Sequence, residues 1–155
     1  MRLWRLSSAR HARDLSGGFG RDHDGRWNTR GRPLIYCATV PSLAALEKRV
    51  HVTDAGLLPP QTMVAYEVPD NAPQRRIEID ELPKNWIANQ AHTQALGNAW
   101  LDATAELLLF VPSVVMPLAA APERNVLINH RAPGAARIRI AEATPFTLDA
   151  RLFKV

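Results

Sequence analysis

Three arginines set among glycines form the first group of residues whose types and spacing could do chemistry. They are Arg26, Arg30 and Arg32, within the segment 25–33 of sequence GRWNTRGRP. Guanidinium forks and the backbone N–H groups of a glycine-rich turn both bind phosphate oxygens. Trp27 adds a flat apolar surface beside them. The pattern is compatible with a site for a phosphate-bearing ligand and equally with a turn of hydrated arginine side chains.

Tyr36 and Glu47 are the next candidates along the chain. Tyr36 lies in an apolar run, where a tyrosine is usually part of the core. Glu47 lies beside a predicted apolar helical stripe, where a glutamate is usually solvated. His51 follows Glu47 by four positions, so the two side chains share a helical face and can hydrogen-bond. Residue types alone therefore leave both interpretations open for each of these side chains.

Ser113 follows Pro112 directly after a predicted strand. Its hydroxyl should therefore lie at the edge of the predicted sheet, where ligands are often held. The pattern G-x-S-x-G is absent, which disfavours a nucleophilic serine of the hydrolase type. Asn125 and Asn129 bracket the next apolar run. These three polar side chains complete the set of candidates.

Several kinds of site are excluded by what the sequence lacks. The five histidines have no metal-ligand spacing, and Cys37 is the single cysteine, so we expect no metal site. Neither the Rossmann glycine pattern nor a P-loop is present. A nucleotide ligand would therefore have to be held in another way. The lone cysteine, the lack of a signal peptide and the absence of a long apolar span predict a cytoplasmic protein with no membrane partner.

The composition is that of one globular domain, which we expect to cover residues 1–155. Apolar residues make up 46% of the chain and charged residues 22%. The net charge is +4, and the first 32 residues alone hold eight arginines against three aspartates. Such a local excess of positive charge predicts an anion site, either for a phosphate-bearing ligand or for nucleic acid.

The elements that must position these candidates can be read from hydrophobic periodicity. A helix should begin at Pro41, with Leu43, Leu46 and Val50 on its apolar stripe, and residues 7–33 should form an irregular binding loop. A second helix is predicted over residues 91–104, with Leu96, Trp100 and Leu101 facing inward. Strands are predicted at 3–6, 34–39, 62–68, 75–79, 107–111, 126–129, 137–140 and 146–153. Strands without regular alternation with helices predict an α+β fold with a mixed or antiparallel sheet.

Taken in this order, the blocks resemble the RES-domain family, which is named for its arginine, glutamate and serine. The matching segments cover essentially the whole chain. They are GRWN at 25–28 with Gly31 and Pro33, LIYCA at 34–38 leading to Glu47, LGNAWL at 96–101, LFVPS at 109–113 and NVLIN at 125–129.

The resemblance implies an ADP-ribosyltransferase-like fold, in which a split sheet with few helices surrounds a cleft for NAD+. It implies a toxin of a bacterial toxin–antitoxin pair, neutralised by an Xre-like antitoxin. It further implies NAD+ as the substrate, with no metal. Family activities divide between degradation of NAD+, by hydrolysis or phosphorolysis, and transfer of ADP-ribose to a protein acceptor.

Carried over residue by residue, the resemblance assigns catalysis to Arg26, Tyr36 and Glu47. The residues expected to bind NAD+ are Arg26, Trp27, Arg32, Tyr36, Ser113 and Asn125, and His51 is a possible helper. The sequence departs from the family pattern Asn-Pro-x-His after Asn129, where His130 and Ala132 replace the proline and the histidine.

An NAD+-degrading toxin is the leading hypothesis, and a mono-ADP-ribosyltransferase using the same cleft is its closest rival. A basic nucleic-acid-binding module is a third, motivated by an isoelectric point near 9.8. The sequence offers no helix-turn-helix or zinc-finger pattern, so we expect no direct nucleic-acid binding. The fourth hypothesis is an interaction protein that has no enzymatic activity, and no sequence feature supports it.

Overall fold

The computed structural model describes residues 1–153, except for the side chain of Ala55. It contains three α-helices, seven strands and five short 3-10 helices in these residues. The helices are α1 (Gly18–Asp22), α2 (Pro41–Arg49) and α3 (Gln90–Ala103). The strands are β1 (Arg2–Ser8), β2 (Leu34–Ala38), β3 (Gln61–Glu67), β4 (Gln74–Arg76), β5 (Leu108–Val111), β6 (Asn125–Asn129) and β7 (Arg139–Phe146). The 3-10 helices are Ala9–His11, Ala55–Leu57, Ile79–Glu81, Ala135–Arg137 and Ala150–Phe153.

The strands form one mixed sheet in the order β4-β5-β6-β2-β1-β3-β7. Only β4 and β5 run parallel, and the other neighbours are antiparallel. Between β1 and β2 a single residue pair, Trp4 with Ala38, joins the ladders. The sheet is thus divided into two well-paired halves that meet at this seam. These features confirm the predicted α+β class with a mixed, split sheet.

The two faces of the sheet are covered in different ways. Alternation along β2 sends Leu34, Tyr36 and Ala38 to one face, and Ile35 and Cys37 to the other. Helices α2 and α3 pack on the first face. The second face is covered by loops and short 3-10 segments, within the described part of the chain. The face that carries Tyr36 is therefore bounded by a helix on each side.

Helix α3 packs on this face as its apolar spacing predicts. Trp100 and Leu101 are buried with Leu109 of β5 and Leu127 of β6. On the other side of Tyr36, Leu43 of α2 packs against β1 and β3. Val50 of the predicted α2 stripe is 54% exposed, because the helix ends at Arg49. None of the helices in residues 1–153 is long and apolar enough to cross a membrane.

Three sequence predictions about elements are wrong in part. Residues 7–33 are not a continuous irregular loop, because β1 extends to Ser8 and α1 forms at Gly18–Asp22. The strand predicted over 146–153 is absent: β7 ends at Phe146, and Ala150–Phe153 is a 3-10 helix. The strand predicted over 75–79 is the three-residue β4, and its residues beyond Arg76 turn into the 3-10 helix Ile79–Glu81.

Candidate active site

The carboxylate of Glu47 is the centre of the candidate site. Its Oε1 accepts a hydrogen bond of 2.7 Å from Ser113 Oγ and one of 2.5 Å from Asn125 Nδ2. Ser113 follows the end of β5 and Asn125 begins β6, so antiparallel pairing brings both to the same edge of the sheet. Helix α2 then carries Glu47 over that edge. Within residues 1–153, Oε2 of Glu47 accepts no hydrogen bond, which leaves this oxygen available to a ligand.

The hydroxyl of Ser113 is fully used by the protein. Its oxygen accepts hydrogen bonds from the backbone N–H groups of Val115 (3.0 Å) and Met116 (3.1 Å). A hydroxyl has one donor and two acceptor positions, so its proton is directed to Glu47. Ser113 is also only 1% exposed. This geometry fits a residue that orients the carboxylate better than one that contacts a ligand.

Tyr36 lies on the same face, two residues before Ala38, which pairs with Asn125. Its hydroxyl donates to Asn28 Oδ1 (2.7 Å) and accepts from the Trp27 backbone N–H (3.1 Å). Burial raises the pKa of the Tyr36 phenol far above its ordinary value, although the Trp27 N–H and the charge of Arg26 act in the opposite direction. Tyr36 is therefore a neutral side chain at physiological pH.

Arg26 lies close enough to Tyr36 for its charge to act on the phenol. One guanidinium nitrogen, Nη1, donates to the carbonyl of Ile87 at 2.8 Å. The Arg26 carbonyl accepts from Thr93 Oγ1 at 2.7 Å, which ties its backbone to α3. The remaining guanidinium N–H groups make no hydrogen bond within residues 1–153. An anchored arginine of this kind can offer its other donors to an anion.

Three other predicted residues lie elsewhere. Trp27 is 2% exposed and belongs to the core under α3, so it does not present the ligand-binding surface that the sequence predicts. Arg32 forms a two-pronged ion pair with Asp102, at 3.0 and 2.8 Å, instead of extending toward Glu47. His51 makes no hydrogen bond to Glu47 in the described residues, because α2 ends at Arg49 and His51 lies in the exposed turn that follows.

The segment after Asn129, where the sequence departs from the family pattern, lies at the opposite end of β6 from Asn125 and therefore away from Glu47. Asn129 is buried, and its Nδ2 donates to the Leu101 carbonyl at 3.0 Å. His130 is exposed, whereas Ala132 is buried. This segment holds the end of α3 against the sheet, so the replaced residues lie outside the candidate site.

Sequence reasoning missed two residues that organise the site. Asn28 is fully buried and binds the Tyr36 hydroxyl; its place in the GRWN block was the available signal. Arg124 holds the loop after Ser113, because its guanidinium donates to the carbonyls of Ala119 and Ala121 and to Glu78. No pattern in the sequence marks that role, since the contacts form only when the loop folds back.

Within residues 1–153 no group of three histidine, cysteine, aspartate or glutamate side chains is arranged to hold a metal ion. On the sheet face that carries Tyr36, the structure instead places the Glu47 carboxylate with Ser113 and Asn125, and the Tyr36 phenol with Asn28 and Arg26. Such a set can hold a ligand that bears both an anionic group and a centre where positive charge develops.

Comparison with known proteins identifies the family of the chain. The RES domain family model matches residues 2–149. The chain is 40% identical over 155 residues to "Toxin Res" of Pseudomonas putida, covering 99% of this chain and 100% of that protein. It is 34% identical over 159 residues to "Prs ADP-ribosylating toxin" of a Sphingobium species, covering 98% of this chain and 96% of that protein.

A solved structure shows a similar fold. A chain in the crystal structure of the M. tuberculosis MbcT–MbcA toxin–antitoxin complex superposes with a TM-score of 0.74 at 18% identity. The match covers 94% of this chain and 84% of that one. The expected ADP-ribosyltransferase-like α+β fold is thereby confirmed. From the family match over nearly its whole length, we conclude that this chain belongs to the RES-domain family.

Proposed function

We propose that this protein is the toxin of a toxin–antitoxin pair and that it binds NAD+ and cleaves the bond between nicotinamide and ribose. The observation that carries the proposal is the Glu47 carboxylate, which Ser113 and Asn125 fix through Oε1, while Oε2 accepts no hydrogen bond from any residue that the structure describes. A fixed negative charge facing a cleft is suited to stabilise a developing cation.

Cleavage of NAD+ requires such a charge. The bond from the ribose anomeric carbon to the nicotinamide nitrogen breaks, and its electron pair leaves with nicotinamide, which becomes neutral. The ribose is left as an oxocarbenium ion, as in glycoside hydrolysis. Water or phosphate then adds to this carbon, and the attacking water gives up a proton. The products are nicotinamide with either ADP-ribose or its 1-phosphate.

The other site residues take separate roles in this proposal. Arg26, whose guanidinium donates only to Ile87 among the described residues, holds the pyrophosphate with its other donors. Tyr36 lines the nicotinamide pocket with its ring, since its hydroxyl is already bonded on both sides. Asn125 contacts the ribose or the carboxamide beside Glu47. Ser113 acts through Glu47, because its hydroxyl has no free hydrogen-bonding position.

An antitoxin of the Xre-like kind is the expected protein partner, and the cytoplasm is the expected compartment. The partner is supported by the fold shared with a chain of a toxin–antitoxin complex and by relatives that are named toxins. Co-purification of the chain with the product of an adjacent antitoxin gene, and loss of turnover in that complex, are the expected results.

The test is NAD+ consumption by the purified protein, with free nicotinamide and ADP-ribose followed separately. We expect Glu47→Gln to fold and to lose roughly 100-fold or more in turnover, because it removes the negative charge and keeps the shape. Glu67→Gln is the matched control, since Glu67 is an exposed glutamate at the end of β3. Equal activity of the Glu47 variant and the wild type would refute the assignment.

Transfer of ADP-ribose to a protein is the second candidate. It is supported by the Sphingobium relative, which is named an ADP-ribosylating toxin and is 34% identical. The same oxocarbenium ion would then be captured by a side chain of another protein instead of by water. NAD+ labelled in the adenosine part distinguishes the two: label on one protein of a cell lysate indicates transfer, and label in free ADP-ribose indicates degradation.

A further inference from the structure

Asn28 uses its whole amide inside the protein. The residue is 0% exposed, and its Oδ1 accepts the hydrogen bond from the Tyr36 hydroxyl. Its Nδ2 lies within hydrogen-bonding distance of three backbone carbonyls, those of Gly20 (3.4 Å), His23 (3.0 Å) and Thr29 (3.2 Å). One buried side chain thus connects the loop after α1 to the tyrosine on β2.

The backbone around Asn28 closes tightly on the same hydroxyl. Gly25 N–H donates to the Asn28 carbonyl at 2.9 Å, and Trp27 N–H donates to the Tyr36 oxygen. A Cβ atom on Gly25 would lie 2.5 Å from both Asn28 Oδ1 and the Tyr36 hydroxyl, closer than carbon and oxygen can approach. The turn over residues 25–28 is therefore wrapped around the end of the Tyr36 side chain.

Arg26 lies within this turn, between two residues that contact the phenol. Its own carbonyl is held by Thr93, and its guanidinium leaves the turn toward Ile87. The hydrogen bonds at the Tyr36 hydroxyl therefore hold the backbone of the turn that carries Arg26, and the bond to Ile87 holds its guanidinium.

We propose that Asn28 is a positioning residue, which holds the Tyr36 hydroxyl and thereby sets the Tyr36 ring and the Arg26 guanidinium side by side at the cleft. The inference rests on the proposed function, in which these two side chains bind NAD+. In this arrangement the Tyr36 hydroxyl serves as an attachment point for the GRWN turn and takes no part in proton transfer.

A general loss of loop stability is the competing explanation, and Asn98 provides the matched control. Its amide also holds the loop from α3, accepting from Thr29 N–H and donating to Thr29 Oγ1, both at 3.0 Å. Asn98 makes no hydrogen bond to Tyr36 among the described residues. Asn28→Ala and Asn98→Ala both loosen the loop, but only the first removes the bond to the tyrosine.

The readout is the carbon-13 NMR signal of tyrosine Cζ in the full-length protein, which contains only Tyr36 and Tyr66. Tyr36→Phe assigns the signals by removing one. We expect the Tyr36 signal to shift in Asn28→Ala and to stay in place in Asn98→Ala. We also expect kcat/KM for NAD+ to fall about tenfold or more in the first variant and less than about threefold in the second.

A double-mutant cycle completes the test. Asn28→Ala should add little to the loss in kcat/KM caused by Tyr36→Phe, because both changes remove the same hydrogen bond. Additive losses, or equal shifts of the Tyr36 signal in both asparagine variants, would overturn the inference. If Asn28→Ala does not fold, Tyr36→Phe alone decides: full activity in that variant contradicts the proposed role.

The two proposals fail in different ways. A wild-type protein that consumes no NAD+ refutes the proposed function, whatever the tyrosine signal does. A wild-type protein that consumes NAD+ but keeps its Tyr36 signal unchanged in Asn28→Ala refutes the positioning role alone.

Discussion

Two hydrogen-bonded clusters on the Tyr36 face of the sheet are built on opposite principles: a charged cluster of Glu47, Ser113 and Asn125, and a neutral cluster of Asn28, Tyr36 and the turn 25–28. In the charged cluster, two hydrogen bonds hold Glu47 Oε1, and Oε2 accepts none from the described residues. In the neutral cluster, the polar groups hydrogen-bond to each other, and Asn28 is fully buried. The first cluster holds a charge ready for a ligand, and the second fixes the position of neighbouring groups. Under the proposed function, the group that stabilises the developing charge is thus separate from the groups that position the binding side chains.

The neutral cluster should be the more sensitive to added volume. Gly97 of α3 lies against the Trp27 carbonyl, and a Cβ there would be 1.8 Å from that oxygen. Gly97→Ala is expected to destabilise the protein by about 1–3 kcal/mol or more, because the helix and the turn must separate. Urea unfolding measures the change. In an exposed helix interior the same substitution would stabilise by about 1 kcal/mol, so an increase in stability would contradict the close contact.

The charged cluster should be the more sensitive to a lost hydrogen bond. Ser113→Ala removes a donor to Glu47 and leaves two backbone N–H groups without their acceptor. We expect a loss in stability of about 1–3 kcal/mol, and kcat should fall more than KM rises, because the residue orients a group and does not bind substrate. Steady-state kinetics with NAD+ checks this. A change confined to KM would instead indicate that Ser113 touches the ligand.

The smallest effect is expected at the edge of the neutral cluster, in the pair of Arg32 with Asp102. Asp102 has a lowered pKa, mainly because Arg32 donates a hydrogen bond to it. A carboxyl with a lowered folded-state pKa stabilises the fold above its unfolded-state pKa, near 3.8, and loses that contribution as the pH falls through the folded-state value. Since Asp102 is half exposed, Asp102→Asn should cost less than about 1 kcal/mol at pH 7.

Thermal unfolding of wild type and Asp102→Asn from pH 7 down to pH 2 measures this contribution. The difference between the two proteins should shrink below about pH 4, as the wild-type carboxyl becomes protonated. Turnover of NAD+ should be equal in both at pH 7. A large loss of turnover would mean that Arg32 takes part in the site, as the resemblance to the family implied.

The parts of the fold with clear apolar spacing were predictable from sequence. The start of α2 at Pro41 and the inward face of α3 with Trp100 follow directly from residue spacing. The sequence predictions largely missed strand β7. It is an edge strand with mostly exposed side chains, so its sequence lacks the alternation of apolar and polar residues that marks a half-buried strand. Helix α1 was missed because its five residues include two glycines and no apolar stripe.

Part of the candidate site could be named from the sequence, but its arrangement could not be predicted. Arg26, Tyr36, Glu47 and Ser113 were identified from the resemblance. Their contacts join residues 66 or 78 positions apart, as in the bonds of Glu47 to Ser113 and Asn125, so no local pattern contains them. The burial of Trp27 and the pairing of Arg32 likewise depend on where α3 lies. Both residues are polar or amphipathic enough to look like ligand-binding groups in sequence.

The seam between β1 and β2 has a mechanical consequence. Tyr36 and Asn125 belong to the half-sheet on one side of the single Trp4–Ala38 pair, and Leu43 packs the Glu47 helix against β1 and β3 on the other side as well as against Ala38. The hydrogen bonds of Glu47 to Ser113 and Asn125 already span the seam, and a molecule bound to both Glu47 and Tyr36 would add another link between the two halves. Under the proposed function, binding of NAD+ at this site would stabilise the folded protein. The protein would then become harder to unfold as the concentration of NAD+ rises and easier to unfold as NAD+ is depleted.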